Sequence, residues 1–430
     1  MSYRDRLQKV IPGGAHTYSR GADQFPANAP QILARGKGAY VFDDKGTRYL
    51  DYGMALRAVN IGYAEDEIDE AAIREIRNGD NLTLPSLIEL EAAERLCALI
   101  ESVDMVKFTK NGSTSVSAAV KLARAYTGRE LVARCAEHPF FSYDDWFIGS
   151  TPLTKGIPAA TIDQTKLFRY NDAASVRALF DRHPGEIACV VMEAATTAHP
   201  EKGFLGELQQ LCRKNGAVLI FDEMITGFRW HLKGAQQYYG VQPDLCTFGK
   251  AMANGFSVSC VGGRREIMEL GSIETAGRER MFLLSTTHGA EMAGMGAFVA
   301  TLGYLEREPV IAHLWRYGQQ LIDLINGVAK EFGVDKSLQA GGIACSPYYA
   351  TLDRDGKPSL ELRTLFAQEM VRGGVLMPWI ALSYRHREAE LALTEKALRA
   401  TLPMYRRGLE EGCDRLLEGE PIKPVFRKFN

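Results

Sequence analysis

Residues 217–250 read AVLIFDEMITGFRWHLKGAQQYYGVQPDLCTFGK and hold two apolar runs, one leading into Asp222 and the other into Lys250. Neither run alternates apolar with polar residues, as a strand with one wet face would. Both are therefore expected to be strands of a mostly parallel sheet covered on its two faces. The same signature appears in MVKF (105–108), LVAR (131–134), IACVVME (187–193) and VSCVGG (258–263). Helical patterns fill the spaces between. In SVSAAVKLARAY (115–126) Val116, Ala119, Val120 and Ala123 share a face, and ELQQLCRKNG (207–216) closes on a glycine. The class is α/β.

Outward from this block the character changes. QILARGKGAYVFDDKGTRYLDY (31–52) suggests a small antiparallel meander turning at DDKG. Long amphipathic helices are expected at 309–332, 360–373 and 388–412, around a strand-like IACSPYYATL at 343–352. The 430 residues exceed the roughly 100–200 of one domain. They divide into a large domain at 61–303 and a smaller α+β domain assembled from both ends, 1–60 and 304–430. Lys plus Arg (51) balance Asp plus Glu (53), which leaves no basic footprint for nucleic acid and no polybasic membrane patch. No apolar run approaches the ~20 residues of a spanning helix. MSYRDRLQKVIPGG carries charges where an export signal would be apolar, so the expected location is the cytoplasm. Eight dispersed cysteines without a C-x-x-C pair suggest buried thiols rather than a disulfide framework or a metal site.

Asp222 falls at the carboxyl end of a buried strand, where ligands bind in open α/β sheets. Lys250 ends the other run. A lone lysine there is more often a side chain reaching solvent, whereas a desolvated one becomes a nucleophile able to form a Schiff base with an aldehyde. An aldehyde cofactor with a pyridine ring needs a carboxylate to keep its ring nitrogen protonated, and Asp222 offers one. It also needs a phosphate cradle. KFTKNGSTSVSAAVKLARAY (107–126) supplies a strand, a turn at Gly112, Ser113 and Thr114, and a helix whose N-terminal amides favour an anion. An ordinary N-cap turn uses the same residues. Together the three elements fit pyridoxal 5'-phosphate.

In this combination the chain resembles the class III (fold type I) pyridoxal-phosphate aminotransferases, and among them the glutamate-1-semialdehyde 2,1-aminomutase-like branch. PGGAHTYSRG, GAYVFDDKGTRYLDY, KNGSTSVSAAVKLAR, VVMEAA, GFLGELQQLCRKNGAVLIFDEMITGFR, FGKAMANG and VGGRREIM follow in the family's order. The resemblance implies that Lys250 is the Schiff-base lysine and proton shuttle, and that Asp222 pairs with the pyridine nitrogen. It implies that Ser113 and Thr114 hold the phosphate, with Thr286, in LLSTTHGAE, lent by the neighbouring subunit of a homodimer. Phe140, in AEHPFFSYDDW, stands where an aromatic ring stacks on the cofactor, and Met224 where an apolar side chain covers the opposite face. Glu193 resembles the buried glutamate beside that ring. Arg20, in PGGAHTYSR, matches the aminomutases' carboxylate clamp, a planar guanidinium suited to paired hydrogen bonds. Thr17 lines up near the same pocket.

The departures fall on the substrate side. Arg57, in MALRAVNIG, stands where the aminomutases carry a small residue of the active-site loop, and Arg385, in SYRHRE, where they carry an acidic one. The family's NSGT turn reads NGST, Phe141 and Ser142 replace the histidine and glycine after the stacking aromatic, and HGAE replaces SGNP. A retained cofactor shell with an altered substrate shell implies a transaminase. It would move an amino group from an amino acid donor, glutamate or alanine by the resemblance, to an anionic aldehyde or ketone. An intramolecular aminomutase is the alternative. A catalytically silent cofactor-binding protein is a third reading, which retention of Lys250 and Asp222 opposes. A nicotinamide dehydrogenase would need a G-x-G-x-x-G turn after an early strand, and Gly294 and Gly296 sit in a helical pattern instead.

Overall fold

The continuous apolar runs become strands with both faces covered: every residue of Ile187–Met192, Val218–Asp222 and Leu245–Phe248 is buried in the computed structural model, which describes residues 1–429 apart from Thr275 and Arg278. These strands lie side by side in a seven-stranded sheet. Its order is Met105–Thr109, Ser259–Gly263, Leu245–Phe248, Val218–Asp222, Ile187–Met192, Leu131–Cys135 and Thr165–Phe168. Ser259–Gly263 pairs antiparallel with both neighbours and all other pairs are parallel. The edge strand Thr165–Phe168 is the one the sequence does not mark. It has a single sheet partner and leaves Leu167 exposed, so its apolar signal is short and mixed.

Helix Gly112–Thr127 packs on this sheet with Val116, Ala119, Val120 and Ala123 buried; the alanines let its backbone approach the strands. It stops at Gly128, whose φ of 67° is the left-handed cap that glycine takes without a Cβ penalty. Helix Phe204–Asn215 ends the same way at Gly216, and the chain returns directly as Val218–Asp222. The parallel run of Val218–Asp222 and Leu245–Phe248 puts their carboxyl ends, and hence Asp222 and Lys250, at one edge of the sheet.

The chain divides into two compact units, Asp66–Ile311 around this sheet and Met1–Glu65 with Ala312–Arg427. In the second, Leu33–Lys37, Tyr40–Asp43 and Arg48–Asp51 form an antiparallel meander, and the short strand Val375–Leu376 adds in parallel. The Asp43 carboxylate builds the expected turn by accepting the amides of Lys45 (2.9 Å) and Thr47 (2.7 Å). The segment 343–352, expected as one strand, is instead the turn and second arm of a hairpin, Leu338–Ile343 with Ser346–Thr351. The first arm contains Gly341 and Gly342, which hid it in the sequence. Helices Val310–Glu331, Leu360–Arg372 and Glu388–Glu411 complete the pattern. The Tyr52 hydroxyl bonds to those of Tyr317 and Thr394, each at 2.8 Å, tying the meander to two of these helices. Seven of the eight cysteines are buried and the remaining one, Cys97, is half-buried; all are thiols. Among the described residues no helix is long and apolar enough to cross a membrane, and no cluster of metal-ligating side chains occurs.

Candidate active site

Asp222 is the last residue of its strand and is buried. Its Oδ1 accepts the Met224 amide at 2.9 Å and the Thr247 hydroxyl at 3.2 Å. The second bond follows from register, because Asp222 and Thr247 are partners across the parallel ladder. Burial pushes the Asp222 carboxyl above its ordinary range, opposed by the Met224 amide and the nearby Lys250 charge. Glu223 points the other way, as consecutive strand residues do. It accepts the amides of Ala235 (2.8 Å) and Gln236 (2.9 Å) and the Thr226 hydroxyl, and is therefore structural.

Lys250 leaves the strand Leu245–Phe248 through Gly249 and has a φ of 43°, a left-handed conformation unusual for a residue with a Cβ. Gly249 is needed for close approach: a Cβ there would lie 2.6 Å from the Met224 sulfur and 2.5 Å from the Ser259 hydroxyl. A Cβ at Gly112 would lie 2.8 Å from the same sulfur. Met224 is thus wedged between the loop carrying Lys250 and the turn opening helix Gly112–Thr127.

In that turn Asn111 caps the helix by accepting the Thr114 amide at 2.9 Å. The Ser113 hydroxyl accepts the Tyr143 amide at 3.2 Å, and the Thr114 hydroxyl lies 3.3 Å from that of Tyr143. Sequence reasoning passed over Tyr143; its only signal was its place just beyond the expected stacking aromatic. Phe140 is 45% exposed and its ring lies 5.6 Å from that of Phe147 in a T-shaped contact. The substituted Phe141 and Ser142 serve packing: Phe141 is buried against His138, and the Ser142 hydroxyl lies 2.9 Å from that of Ser117. Glu193 is buried and its amide donates to His138 Nδ1 at 3.0 Å. Burial holds the His138 pKa down to about 3, so its ring is neutral. Thr286 is exposed in an irregular segment whose end is fixed by an ion pair between Glu291 and Lys110, the residue before Asn111.

The four residues expected around the substrate lie in the other unit. Thr17 precedes the short turn Tyr18–Arg20, whose Arg20 is exposed. Arg57 is half-buried and ends a turn over Met54–Arg57. Arg385, expected to face a substrate anion, is engaged instead by Glu65 through two hydrogen bonds, Nε to Oε1 at 2.8 Å and Nη2 to Oε2 at 2.5 Å. Glu65 is buried, so this bidentate pair serves its carboxylate.

Residues 19–348 match the family described as Aminotransferase class-III. A 3-aminobutyryl-CoA aminotransferase of Cloacimonas acidaminovorans (strain Evry) is 30% identical over 419 residues, 95% of this chain and 98% of that protein. A glutamate-1-semialdehyde 2,1-aminomutase of Acetivibrio thermocellus is 35% identical over 343 residues, 76% of this chain and 78% of that protein. Among solved structures, the FumI protein of Sphingopyxis sp. MTA144 in its PLP internal aldimine form is similar with a TM-score of 0.87 and 27% identity, over 98% of both chains. The chain belongs to the class III aminotransferases, pyridoxal-phosphate-dependent enzymes of fold type I.

Proposed function

We propose that this transaminase takes its amino group from a simple amino acid, glutamate or alanine, and delivers it to an aldehyde or ketone bearing an anionic group. The observation that carries the reading is the convergence of Asp222, Thr247, Met224 and Lys250 at one sheet edge beside the Gly112–Ser113–Thr114 turn. These residues fit pyridoxal phosphate. A buried carboxylate suits a protonated pyridine nitrogen, the first turn of a 16-residue helix with two flanking hydroxyls suits the phosphate, and the half-exposed ring of Phe140 suits a planar partner. When bound, the cofactor supplies an aldehyde that condenses with amines and an electron-withdrawing ring.

The protein's own groups do the rest. Asp222, oriented by the Met224 amide and the Thr247 hydroxyl, holds the proton on the ring nitrogen. Ser113 and Thr114 bind the phosphate, joined by Thr286 from a second copy in a homodimer. Phe140 and Met224 would hold the ring by packing against it, and Glu193 would lie beside it. Lys250 Nζ would take the proton from the substrate's amino-bearing carbon and later give it back, acting as base and then acid. Arg20, Thr17 and Arg57 receive the substrate's anionic group, and Arg385 braces Glu65. The similarity to aminomutases keeps a second reading in view, in which one molecule both gives and receives the amino group.

The experiment is an absorbance titration of the holoenzyme with L-glutamate and L-alanine. Conversion of the aldehyde-form band to the amine-form band by either one is the expected result. Turnover of a single diamine-type substrate without any donor would favour the mutase, and no chromophore after addition of pyridoxal phosphate would overturn the reading.

A further inference from the structure

Met54, Ala55, Leu56 and Arg57 form a left-handed helical turn without a glycine, with φ of 38°, 48°, 63° and 67°. In this conformation each Cβ crowds the following carbonyl oxygen, so four such residues in succession persist only where their surroundings over-determine them. Here the amides of Leu56 and Arg57 both reach the Gly53 carbonyl, at 3.0 and 3.3 Å, and the Val59 amide reaches that of Met54 at 3.3 Å.

The surroundings are specific. The buried Asp51 carboxylate accepts three hydrogen bonds, from the Gly53 amide (2.6 Å), the Met54 amide (3.1 Å) and the Tyr63 hydroxyl (2.7 Å). The Trp379 indole donates to the Gly53 carbonyl at 3.1 Å. Met54 is buried with Val59 and Ala381, anchoring the start of the turn in the core. Tyr63 is itself pinned: its amide and carbonyl pair with Gly38 at 2.8 and 2.9 Å, and its ring leaves no room for a Cβ on Gly36, 2.8 Å away. Beyond the turn, the Tyr384 amide holds the Asn60 carbonyl at 2.8 Å, and Arg385 bridges to Glu65. Arg57 is the one charged side chain the turn carries, and glycine would trace the same path without strain. A turn that keeps side chains at this cost in conformation has a use for where they point.

We propose that the left-handed turn is a specificity device, in which Asp51 and Tyr63 are positioning residues that set the direction of Arg57 so that its guanidinium binds the carboxylate or phosphate of the carbonyl substrate. The inference rests on the aminotransferase reading and deepens it. Handedness matters because reversing it sends the residue-57 side chain off a different side of the chain.

The test uses the holoenzyme in its amine form, reacted with pyruvate, glycolaldehyde phosphate and butanal. The quantity read is the ratio of kcat/KM for each anionic compound to that for butanal. Arg57→Ala should lower the ratio about 10- to 100-fold for whichever anion the site takes, the two compounds distinguishing carboxylate from phosphate. Tyr63→Phe should lower it about 3- to 10-fold through KM rather than kcat, and should add nothing in the Arg57→Ala background, because it acts through Arg57. Ala55→Gly, which relieves strain but loosens the turn, should lower the ratio without lowering the melting temperature. Additive losses in the double variant, equal losses with butanal, or an unchanged ratio in Arg57→Ala would each overturn the proposal. A wild-type holoenzyme that reacts with none of the three carbonyls and no amino acid would overturn the aminotransferase reading itself.

Discussion

The residues proposed to hold the cofactor and those proposed to meet the substrate are built into the fold in different ways. Asp222 and Lys250 stand at the ends of neighbouring parallel strands, and a backbone ladder fixes where they are. Arg20 and Arg57 stand on short turns in the other unit, where placement depends on individual side-chain bonds such as those of Asp51. A ladder is set by many hydrogen bonds at once and tolerates sequence change, whereas a turn held by one carboxylate is remade by a single substitution. Chemistry common to a family belongs on the first kind of scaffold, and selectivity on the second.

The sharpest way to break that contrast is at its fixed end. Lys250→Ala should lower the rate of the half-reaction with an amino acid by at least ~10⁴-fold, while circular dichroism and melting stay near wild type. Asp222→Asn should cost roughly 10²- to 10³-fold in the same stopped-flow measurement, since it removes a preorganised charge from a dry site. If Asp222→Asn were indistinguishable from wild type, the strand-end assignment would fail.

Packing gives an intermediate effect. Alanine at Gly249 would force the Met224 sulfur from 2.6 Å and the Ser259 hydroxyl from 2.5 Å, an overpacking that costs about 1–3 kcal/mol. Gly249→Ala should weaken retention of pyridoxal phosphate, read by equilibrium dialysis, and Ser259→Ala in the same chain, which removes the nearer of the two obstructing atoms, should recover part of it. On the movable side, Arg385→Ala should lower stability by about 1–2 kcal/mol, because it strands the buried Glu65 carboxylate while Arg385 itself is 43% exposed. A large rise in KM for anionic acceptors with no change in melting would instead return Arg385 to the substrate.

The same contrast explains what could be read from the sequence. All six apolar runs became strands of the sheet, and the strand-end Asp222 and Lys250 came together, because continuous burial leaves a continuous apolar signal. Thr247 was overlooked as a partner of Asp222, since register between strands is not written in either one. The short edge strand Thr165–Phe168 and the glycine-containing arm Leu338–Ile343 lack that signal. Nothing in MALR announces a left-handed turn, because no glycine marks it; the cause lies in Asp51, Tyr63 and Trp379, whose bonds no local pattern encodes. The Glu65–Arg385 pair spans 320 positions, and only the folded chain shows that the guanidinium is taken.

The two units should also part company in mild acid. Burial holds His313 down to about 4 and His386 to about 3 in the unit built from the chain ends. Their mutual repulsion and the charges of Arg316 and Arg387 act in the same direction, while the backbone carbonyls they face act against it. A histidine depressed in the folded state contributes stability that is present above its unfolded pKa near 6.5 and lost as pH falls towards the folded value. One pH unit below 6.5 each therefore costs about 1.4 kcal/mol. The raised, buried Asp51 works the other way but is one group against two. In the sheet unit His138, near 3, and the lowered His231 are met by Asp222 and Glu223, both raised by burial and both favouring the fold as pH falls. Hydrogen exchange of the cofactor-free protein, followed from pH 7 to 5.5 and corrected for intrinsic rates, should show Met1–Glu65 and Ala312–Arg427 losing protection before Asp66–Ile311. His386→Gln should narrow the gap, and equal loss in both units would mean that these histidines do not govern acid stability.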